Sequence, residues 1–417
     1  MDNRRTMAAT SRRRFLASTV GTIGATGVIE NLSAAATTSR RVRLTGLELL
    51  PVRATERTVW LFVRLKTSSG LTGLGEASDA FGYLNTTREQ ATRMKDELIA
   101  LFRMVEDRSP LDIAWLRELG LARARTGGLI AATAFSAIEQ AMWDLSGTML
   151  EQPICNLLGG QLRERLPVYA NINRATKPRT PAGFAASAAK AVAEGFRAVK
   201  FAPFDGFKRQ DFSDPAKSKP VADGIACVAA VREAVDDNIA VMVDGHSLFD
   251  VPLGIEVAQR LEPYRLTWYE EPVAPELIAE TTTIRRAIKM EMAGGETLFQ
   301  MKGFDELCRS RAVEVIMPDV KHCGGLLELT HIAALAEMDG VAVAPHNPSG
   351  PVSTAASAQV SAALSNFRIL ELQWGEVPWR GEIVTPHEHF DRGEIVVSTR
   401  PGCGVTLNER LVKKYAL

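Results

Sequence analysis

Three acidic residues at equal spacing could together hold a metal ion. Asp244, Glu270 and Glu296 each follow a short apolar run, and 26 residues separate each one from the next. Carboxylates brought close together raise one another's pKa unless a cation neutralises them, and oxygen ligands are those that Mg2+ prefers. One such carboxylate alone would as readily cap a helix or form a salt bridge. The three together predict a magnesium site.

A histidine and an aspartate further along the chain could move a proton. His346 follows the run VAVAP, and Asp319 follows VIMP. A carboxylate hydrogen-bonded to an imidazole orients the ring and raises its basicity, as a general base requires. A lone histidine is usually structural, but the chain has only 6 histidines and His346 is the one that ends a predicted strand of this kind. We interpret the pair as a general base.

Three more residues at predicted strand ends are candidates for the same site. His246 follows Asp244 by two residues, so the two side chains point the same way. His246 could be a second proton carrier on the side of the site opposite His346, or it could cap the next helix. Lys200 could pair with a substrate carboxylate or, if its pKa were lowered, act as a base. Glu371 could hydrogen-bond a substrate oxygen.

These residues end successive copies of one pattern, in which a β-branched apolar run is followed by a polar residue and then by a helical stretch. The pattern occurs eight times from residue 166 onward, and its last six ends are 23–27 residues apart, the length of one βα unit. It predicts an α/β fold, a TIM-type (β/α)8 barrel over residues 166–380, with the active site at the strand C-termini. The predicted strands end at Asn173, Lys200, Asp244, Glu270, Glu296, Asp319, His346 and Glu371.

Different patterns flank the barrel on both sides. Residues 42–165 contain an alternating stretch around a Ser-Ser-Gly turn, TVWLFVRLKTSSGLTGLGEA, and then helical patterns such as AATAFSAIEQAMWDLSGTML. This segment predicts an α+β capping domain. Residues 381–417 have strand character, and we expect them to pack back on that domain. Because no linker rich in Pro, Gly or Ser separates the parts, we expect one rigid body.

One loop of the predicted barrel is longer than the others. Lys200 and Asp244 are 44 residues apart, about 18 more than in the next two intervals. The extra length falls in FAPFDGFKRQDFSDPAKSKP, whose Pro, Gly and charge content is typical of a surface loop. The segment is either a lid over the barrel mouth or a plain surface insertion.

The N-terminal residues have the composition of a targeting segment. The sequence SRRRFL precedes a small-residue apolar run and then LSAAA, and it resembles the twin-arginine export signal. We predict a signal peptide over residues 1–36 and a periplasmic location, the alternative being a basic disordered tail. The apolar run is too short to span a bilayer in the mature protein, so we expect no stable membrane anchor.

The overall composition excludes several classes of protein. The chain has 417 residues, of which 46% are hydrophobic, and this is enough for a large core. The 49 basic and 49 acidic residues cancel, so there is no general electrostatic attraction for nucleic acid. The 5 cysteines are far apart and contain no CxxC pair, so neither a zinc cluster nor a disulfide framework is expected. The composition favours a small-molecule partner.

Motifs along nearly the whole chain after residue 36 resemble the enolase superfamily, specifically its mandelate racemase/muconate lactonizing enzyme-like subgroup. They include GLTGLGEA and SAIEQAMWDLSG in the predicted capping domain, and WYEEP, GGE, MPD and APH in the barrel. The resemblance implies that the three acidic residues bind Mg2+ and that Asp319 and His346 form the base. It also implies that Glu371 hydrogen-bonds the substrate carboxylate.

Within that subgroup the chain is most similar to acid-sugar dehydratases of the galactonate dehydratase type. The motif VDGH places His246 two residues after the first predicted metal ligand, and APHNPSGPVSTAA also resembles their sequences. Racemases usually carry Lys-x-Lys at the end of the second strand, whereas this chain has Lys200, Phe201 and Ala202. The missing second lysine argues against racemisation by two bases.

The resemblance implies a reaction on a small carboxylate, an acid sugar, in a homo-oligomeric enzyme. His346 would take the C2 proton and His246 would protonate the departing 3-hydroxyl, which gives a 2-keto-3-deoxy acid. A sugar lactone cycloisomerase or epimerase would use the same metal and His346. A non-catalytic exported binding protein is a further alternative. Substrate choice is expected to depend on the loops near residues 54–58 and 78–87 and on the long loop after Lys200.

Overall fold

An antiparallel sheet begins the part of the chain that the computed structural model describes, which comprises residues 42–78, 88–211 and 213–417. In this sheet β1 (Leu44–Arg53) pairs with β2 (Val59–Thr67), which pairs with β3 (Thr72–Glu76). The hairpin predicted around the Ser-Ser-Gly turn is present, and Gly70 there has a φ of 83°, which glycine adopts without strain. The predicted signal peptide and residues 79–87 of the predicted capping loop lie outside the described residues.

Three helices follow the sheet, and the long middle one covers it. They are α1 (Arg88–Val105), α2 (Ile113–Met149) and α3 (Ile154–Leu157). The α2 backbone passes so close to β3 that a Cβ on Gly73 or Gly75 would lie 2.4 or 2.1 Å from a carbonyl oxygen of the helix. The two glycines of the TGLGE strand therefore allow the helix to lie directly on the sheet.

Parallel strands alternate with helices through the rest of the chain. In the described residues, eight of these strands form one ring. The first seven pair each with the next, the eighth pairs with the first, and an isolated bridge from Val343 to Phe367 closes the gap between the seventh and the eighth. The predicted (β/α)8 barrel is thus confirmed. Its elements are β4 (Arg165–Asn171), α4 (Pro181–Ala193), β5 (Ala198–Phe201), α5 (Lys219–Ala234), β6 (Ala240–Asp244), α6 (Val251–Leu261), β7 (Trp268–Glu270), α7 (Ile278–Ala287), β8 (Glu291–Gly294), α8 (Gln300–Arg309), β9 (Val315–Ile316), α9 (Gly325–Met338), β10 (Ala342–Val343), α10 (Pro351–Ala363) and β11 (Leu370–Gln373).

The paired strands are shorter than the sequence pattern suggested. Asp319 and His346 were expected to end strands, but each lies three residues beyond the last paired residue. Pro318 and Pro345 immediately precede them, and proline has no N–H with which to continue a ladder. Asn173 and Glu296 likewise lie two residues beyond β4 and β8, whereas Glu371 is the second residue of β11.

The barrel interior is filled with side chains below the strand ends. Tyr169 and Trp268 are fully buried and contact each other edge to face, with ring centroids 5.8 Å apart. They belong to a buried cluster with Ala198, Met242, Ala293, Val315, Met317 and Ala344. The barrel is therefore a packed core, and polar chemistry is restricted to its mouth.

The C-terminal residues contact both the first sheet and the barrel. β12 (Val384–Thr385) pairs with β15 (Thr406–Leu407), and α11 (Glu409–Lys414) follows. Val384, Leu407 and Leu411 pack in one buried cluster with Trp60 of β2. Between them, β13 (Phe390–Asp391) pairs with β14 (Glu394–Val396), which pairs antiparallel with β4. The sequence indicated the contact with the first sheet but not the pairing with the barrel.

Buried carboxylates of the N-terminal elements cap barrel helices. Glu76, at the end of β3, accepts hydrogen bonds from the backbone N–H of Gly350 (2.6 Å) and Ser353 (2.8 Å), at the start of α10. Glu139 of α2 accepts one from Leu326 N–H (2.8 Å), at the start of α9. Carboxylates at helix N-termini satisfy donors that would otherwise lack a partner. These contacts lie within residues 42–417, which cluster as one unit. None of the described helices combines the length and the apolar character that crossing a membrane would need.

Candidate functional site

The three acidic residues predicted to bind a metal converge at the barrel mouth. Asp244 and Glu270 end the neighbouring strands β6 and β7, where they are paired in register, and Glu296 follows the next strand, β8. Gly295, with a φ of 106°, makes the turn that leads into Glu296. One carboxylate oxygen of each residue lies within 4.8 Å of one of each of the others. Asp244, Glu270 and Glu296 are called the acidic triad below.

The acidic triad has the donors and the electrostatics of a cation site. Burial raises the pKa of Glu270 well above its usual value, and the charges of Asp244 and Glu296 raise it further although Lys200 opposes them. Like charges held this close in a buried site require a positive counter-charge. Three converging carboxylate oxygens fit a hard divalent cation.

Lys200 already supplies one positive charge beside the acidic triad. The residue is 1% exposed on β5, and its Nζ lies 2.6 Å from Glu270 Oε1 and 3.3 Å from Glu371 Oε1. Burial alone would lower the pKa of Lys200, but the charges of Glu270 and Glu371 outweigh it and hold the pKa well above its usual value. The arrangement favours a permanently charged ammonium group over the proton-accepting role considered from the sequence.

Asp319 and His346 are in contact, as the sequence indicated. His346 Nδ1 lies 2.7 Å from Asp319 Oδ2, and His346 Nε2 lies 3.1 Å from Glu296 Oε2. Burial lowers the pKa of His346, but the charges of Glu296 and Glu371 and the bond to Asp319 raise it above its usual value. The fully buried Lys321 also contacts Asp319, with its Nζ 2.5 Å from Oδ2. The ring therefore presents Nε2 to the acidic triad.

His246 lies at the other end of the acidic triad. Its Nε2 is 3.2 Å from Asp244 Oδ2, and its Nδ1 is 2.5 Å from Asp205 Oδ1. Burial lowers the pKa of His246, but the charge of Asp244 and the hydrogen bond to Asp205 outweigh it and hold the pKa well above its usual value. The next helix, α6, is capped by Asp250, whose side chain accepts from Leu253 N–H. The alternative that His246 caps this helix is therefore wrong.

Glu371 is buried between Lys200 and the turn that carries His346. Its Oε1 accepts a hydrogen bond from Asn171 Nδ2 (2.6 Å) and its Oε2 accepts one from Asn347 N–H (2.9 Å). Burial raises the pKa of Glu371, but the charges of Lys200 and His346 lower it below its usual value. The group is thus an ionised acceptor at the mouth of the barrel.

A loop of the first sheet contacts the same end of the barrel. Thr58, in the loop 54–58 that was expected to affect substrate choice, donates to Glu376 Oε1 (2.6 Å). Glu376 pairs with Arg174, whose guanidinium donates to the carbonyl of Pro348, two residues after His346. The loop is therefore joined to the segment that carries the predicted base.

All eight residues predicted for the site lie within one connected network of contacts. The sequence pattern did not indicate that Asp205, Asn171 and Lys321 belong to it. Lys321 follows Asp319 by two residues, and Asp205 lies in the long loop after β5 that the sequence did mark as unusual. Neither residue type nor spacing distinguished Asp205 from the other acidic residues of that loop.

Known proteins share this architecture. A family model for the enolase C-terminal domain-like region matches residues 183–411, and one for the mandelate racemase/muconate lactonizing enzyme N-terminal domain matches residues 38–159. The chain is 34% identical over 364 residues to a D-gluconate dehydratase of Thermoproteus tenax, covering 85% of this chain and 69% of that protein. It is 31% identical over 363 residues to a D-xylonate dehydratase of Haloferax volcanii, covering 85% of both.

Solved structures agree with these sequence relatives. A mandelate racemase/muconate lactonizing enzyme from Sulfitobacter sp superposes with a TM-score of 0.81 at 27% identity, covering 90% of this chain and 96% of that one. The two family models match the two parts of the structure, one the barrel that carries the acidic triad and the other the first sheet with its helices. The chain belongs to the mandelate racemase/muconate lactonizing enzyme group of the enolase superfamily.

Proposed function

We propose that this protein is a Mg2+-dependent acid-sugar dehydratase, which removes the C2 proton of an aldonate and eliminates its 3-hydroxyl to give a 2-keto-3-deoxy acid. The observation that carries the proposal is the pair of histidines at opposite ends of the acidic triad, each with its Nδ1 against an aspartate. Dehydration needs one group that accepts a proton and another that donates one. The dehydratases of D-gluconate and D-xylonate among the relatives support the substrate class.

The acidic triad is the proposed Mg2+ site. Its three carboxylate oxygens lie within 4.8 Å of one another, and this arrangement suits a small divalent cation better than it suits a single ammonium group. A bound divalent cation would stabilise the negative charge that develops on the substrate carboxylate as the C2 proton leaves. Lys200 lies beside the triad and adds a fixed positive charge to the same region.

His346 is the proposed base. Its Nδ1–H donates to Asp319, so Nε2 keeps the lone pair that accepts the substrate C2 proton. The electron pair of the broken C2–H bond moves into the C1–C2 bond, which forms an enediolate. Asp319 holds the ring in this orientation and stabilises the imidazolium that results. Glu371, with its oxygens fixed by Asn171 and Asn347, is positioned to accept a hydrogen bond from the substrate.

His246 is the proposed acid. As the enediolate collapses, a C2–C3 double bond forms and the C3–O bond breaks, and Nε2 of the protonated ring gives its proton to the departing oxygen, which leaves as water. The enol product then moves its hydroxyl proton to C3 through solvent and becomes the 2-keto acid. His346 releases one proton to solvent and His246 takes one up, so the protein is regenerated. Ala202, which is buried, occupies the position of the second lysine of a Lys-x-Lys motif, and the absence of that lysine argues against racemisation.

The test is a screen of the purified mature protein with Mg2+ against a panel of acid sugars in D2O. We expect one or a few aldonates to lose water, and mass spectrometry would detect the 2-keto-3-deoxy product. A product that keeps the mass of the substrate would indicate an epimerase or cycloisomerase. Binding of Mg2+ without exchange of any substrate C2 hydrogen would indicate a binding protein. Either result would overturn the proposal.

A further inference from the structure

A second aspartate–histidine pair lies at the barrel mouth, and no sequence motif indicated a role for its aspartate. Asp205 Oδ1 lies 2.5 Å from His246 Nδ1. The Asp319–His346 pair has the same form, with Oδ2 to Nδ1 at 2.7 Å. In both pairs Nε2 faces an outer member of the acidic triad, at 3.2 Å from Asp244 and 3.1 Å from Glu296. The two rings thus have equivalent orientations on the two sides of the site.

The geometry assigns Asp205 as the positioning residue of His246, an inference that rests on the proposed function because it gives the dehydration acid its orientation. Asp205 accepts Nδ1–H, which fixes the imidazole so that Nε2 is the nitrogen that meets the departing hydroxyl. Without this acceptor the ring could turn, or hold its proton on the nitrogen away from the substrate. Removing Asp205 would therefore impair the second half of the reaction and spare the first.

Asp205 is itself held in place by the barrel. Its other oxygen, Oδ2, accepts hydrogen bonds from Arg179 Nη2 (2.8 Å) and Asn173 Nδ2 (3.3 Å). The Arg179 guanidinium is fixed in turn by the carbonyl of Asn173 (2.8 Å) and the carbonyl of Ala202 (2.7 Å). Asn173 lies two residues beyond β4, and Ala202 directly follows β5. The aspartate thus lies in the long loop but is anchored to the strand ends.

Removing a purely structural ion pair would have a different effect from removing a positioning residue. A pair that only secures the loop would affect substrate binding and both proton transfers alike. A residue that acts through His246 affects only the step in which His246 takes part. The discriminating quantity is the ratio of C2 hydrogen exchange to dehydration, measured on the same enzyme sample.

The experiment compares Asp205→Asn with Asp214→Asn in the full chain with Mg2+. Asp214 belongs to the same loop, and its ion pair with Lys217 is exposed. We expect Asp205→Asn to slow dehydration about 100-fold or more while C2 exchange in D2O stays within about threefold of wild type. Asp214→Asn should leave the ratio of C2 exchange to dehydration unchanged. Equal losses of exchange and dehydration in Asp205→Asn, or no loss of dehydration, would overturn the inference.

A second measurement requires neither a stable Asp205 variant nor a known substrate. Nitrogen-15 NMR of the histidine side chains in the wild-type protein, with the His246 signals identified by their absence in His246→Gln, reports which ring nitrogen carries a proton. We expect a proton on Nδ1, shifted downfield by a short hydrogen bond to a carboxylate. An unprotonated Nδ1 would overturn the inference. If wild type catalyses neither exchange nor dehydration, the proposed function fails, while this spectrum still decides the position of the proton.

Discussion

The two histidines of the site differ in their access to solvent although they form the same kind of pair. The His346 side chain is 6% exposed, and the Asp319 beside it also contacts the buried Lys321. The His246 side chain is 29% exposed. A base that must take a proton from carbon gains from exclusion of water, whereas an acid that must be reprotonated in every turnover gains from contact with it. The environments therefore match the proposed division between base and acid.

Replacement of His346 by asparagine tests the first proton transfer. His346→Asn keeps a polar side chain next to Asp319 but removes the nitrogen that faces the acidic triad. We expect both C2 exchange and dehydration to fall by about 10³-fold, within the usual range for the loss of a general base. Proton NMR in D2O measures the exchange, and a keto-acid assay measures the product. Retention of exchange would exclude His346 as the base.

Replacement of His246 by asparagine tests the second proton transfer separately. We expect His246→Asn to exchange the C2 hydrogen at close to the wild-type rate and to form almost no keto acid, because the enediolate can return its proton to C2 but cannot lose the hydroxyl easily. Unchanged dehydration would remove the acid role from His246. The Asp244 contact of His246 requires a control, so Mg2+ affinity should be measured for this variant by titration calorimetry.

At the residue scale, the sequence predicted those groups whose position follows directly from strand ends. Asp244 and Glu270 end paired strands, so their convergence followed from the barrel alone. Asp205 could not be predicted in this way, because its contact with His246 depends on the path of a long loop and on Arg179. Local periodicity determines which strand a residue ends, but not the path of a loop between two strands.

At the scale of elements, the contact between α2 and β3 depends on glycines that leave no space for a side chain. A Cβ on Gly75 would lie 2.1 Å from the Ala137 carbonyl oxygen. Since the obstacle is helix backbone, it cannot move aside as a flexible side chain could. The strand therefore tolerates no larger residue at this position unless the helix shifts. Strand lengths, by contrast, were overestimated from the sequence, because apolar runs continue past the last paired residue into Pro318 and Pro345.

The Gly75→Ala substitution should therefore destabilise the protein strongly. We expect a loss of about 3 kcal/mol in the free energy of unfolding, at the upper end of the usual cost of overpacking. Gly46→Ala is the matched control, because it lies in β1 of the same sheet and its nearest neighbouring atom, in the Lys66 side chain, is 3.6 Å away. Chemical denaturation of both variants measures the difference. Equal stabilities would contradict the assigned contact.

At the scale of the whole molecule, buried carboxyl groups of α2 join it to later parts of the chain, Glu139 to the start of α9 and Asp144 to the backbone N–H of Cys403. Burial raises the pKa of Glu139 to about 8 from 4.5, although the N–H groups of Leu327, Leu326 and Trp143 oppose it. Burial also raises the pKa of Asp144 to about 6 from 3.8. The folded protein therefore holds these protons more tightly than the unfolded chain does, and stability should fall as the pH rises through this range.

Glu139→Gln tests this pH dependence. Between the unfolded-state pKa of 4.5 and the folded-state pKa of about 8, Glu139 is ionised in the unfolded chain but protonated in the folded protein. The free energy of unfolding should therefore fall by up to about 1.4 kcal/mol per pH unit over this interval. Urea unfolding at several pH values in this interval should show a shallower decline for Glu139→Gln than for wild type. Glu118→Gln, at an exposed position of α2 before the break in helical geometry at Gly128, is the control and should keep the wild-type slope. A parallel decline in all three proteins would contradict the assignment.

We propose that the protein is exported, because the segment SRRRFL resembles a twin-arginine signal. This segment lies outside the described residues. Replacing Arg12 and Arg13 by lysine should retain the protein in the cytoplasm if the twin-arginine pathway carries it. Cell fractionation followed by immunoblotting would measure the distribution. Unchanged periplasmic protein in this variant would contradict the proposal, and so would a wild-type protein that stays in the cytoplasm.

The capped helices restrict how a sugar can reach the mouth of the barrel. Glu76 and Glu139 bond to the first turns of two barrel helices, and swinging the first sheet and its helices away from the barrel would leave both carboxylates and their N–H partners without bonds. We therefore expect a substrate to enter and leave past local segments at the mouth, such as residues 54–58, while the first sheet stays joined to the barrel. Because Thr58 bonds to Glu376, and Glu376 through Arg174 to the turn after His346, a change in this segment would affect the surroundings of His346 as well as the path of the substrate.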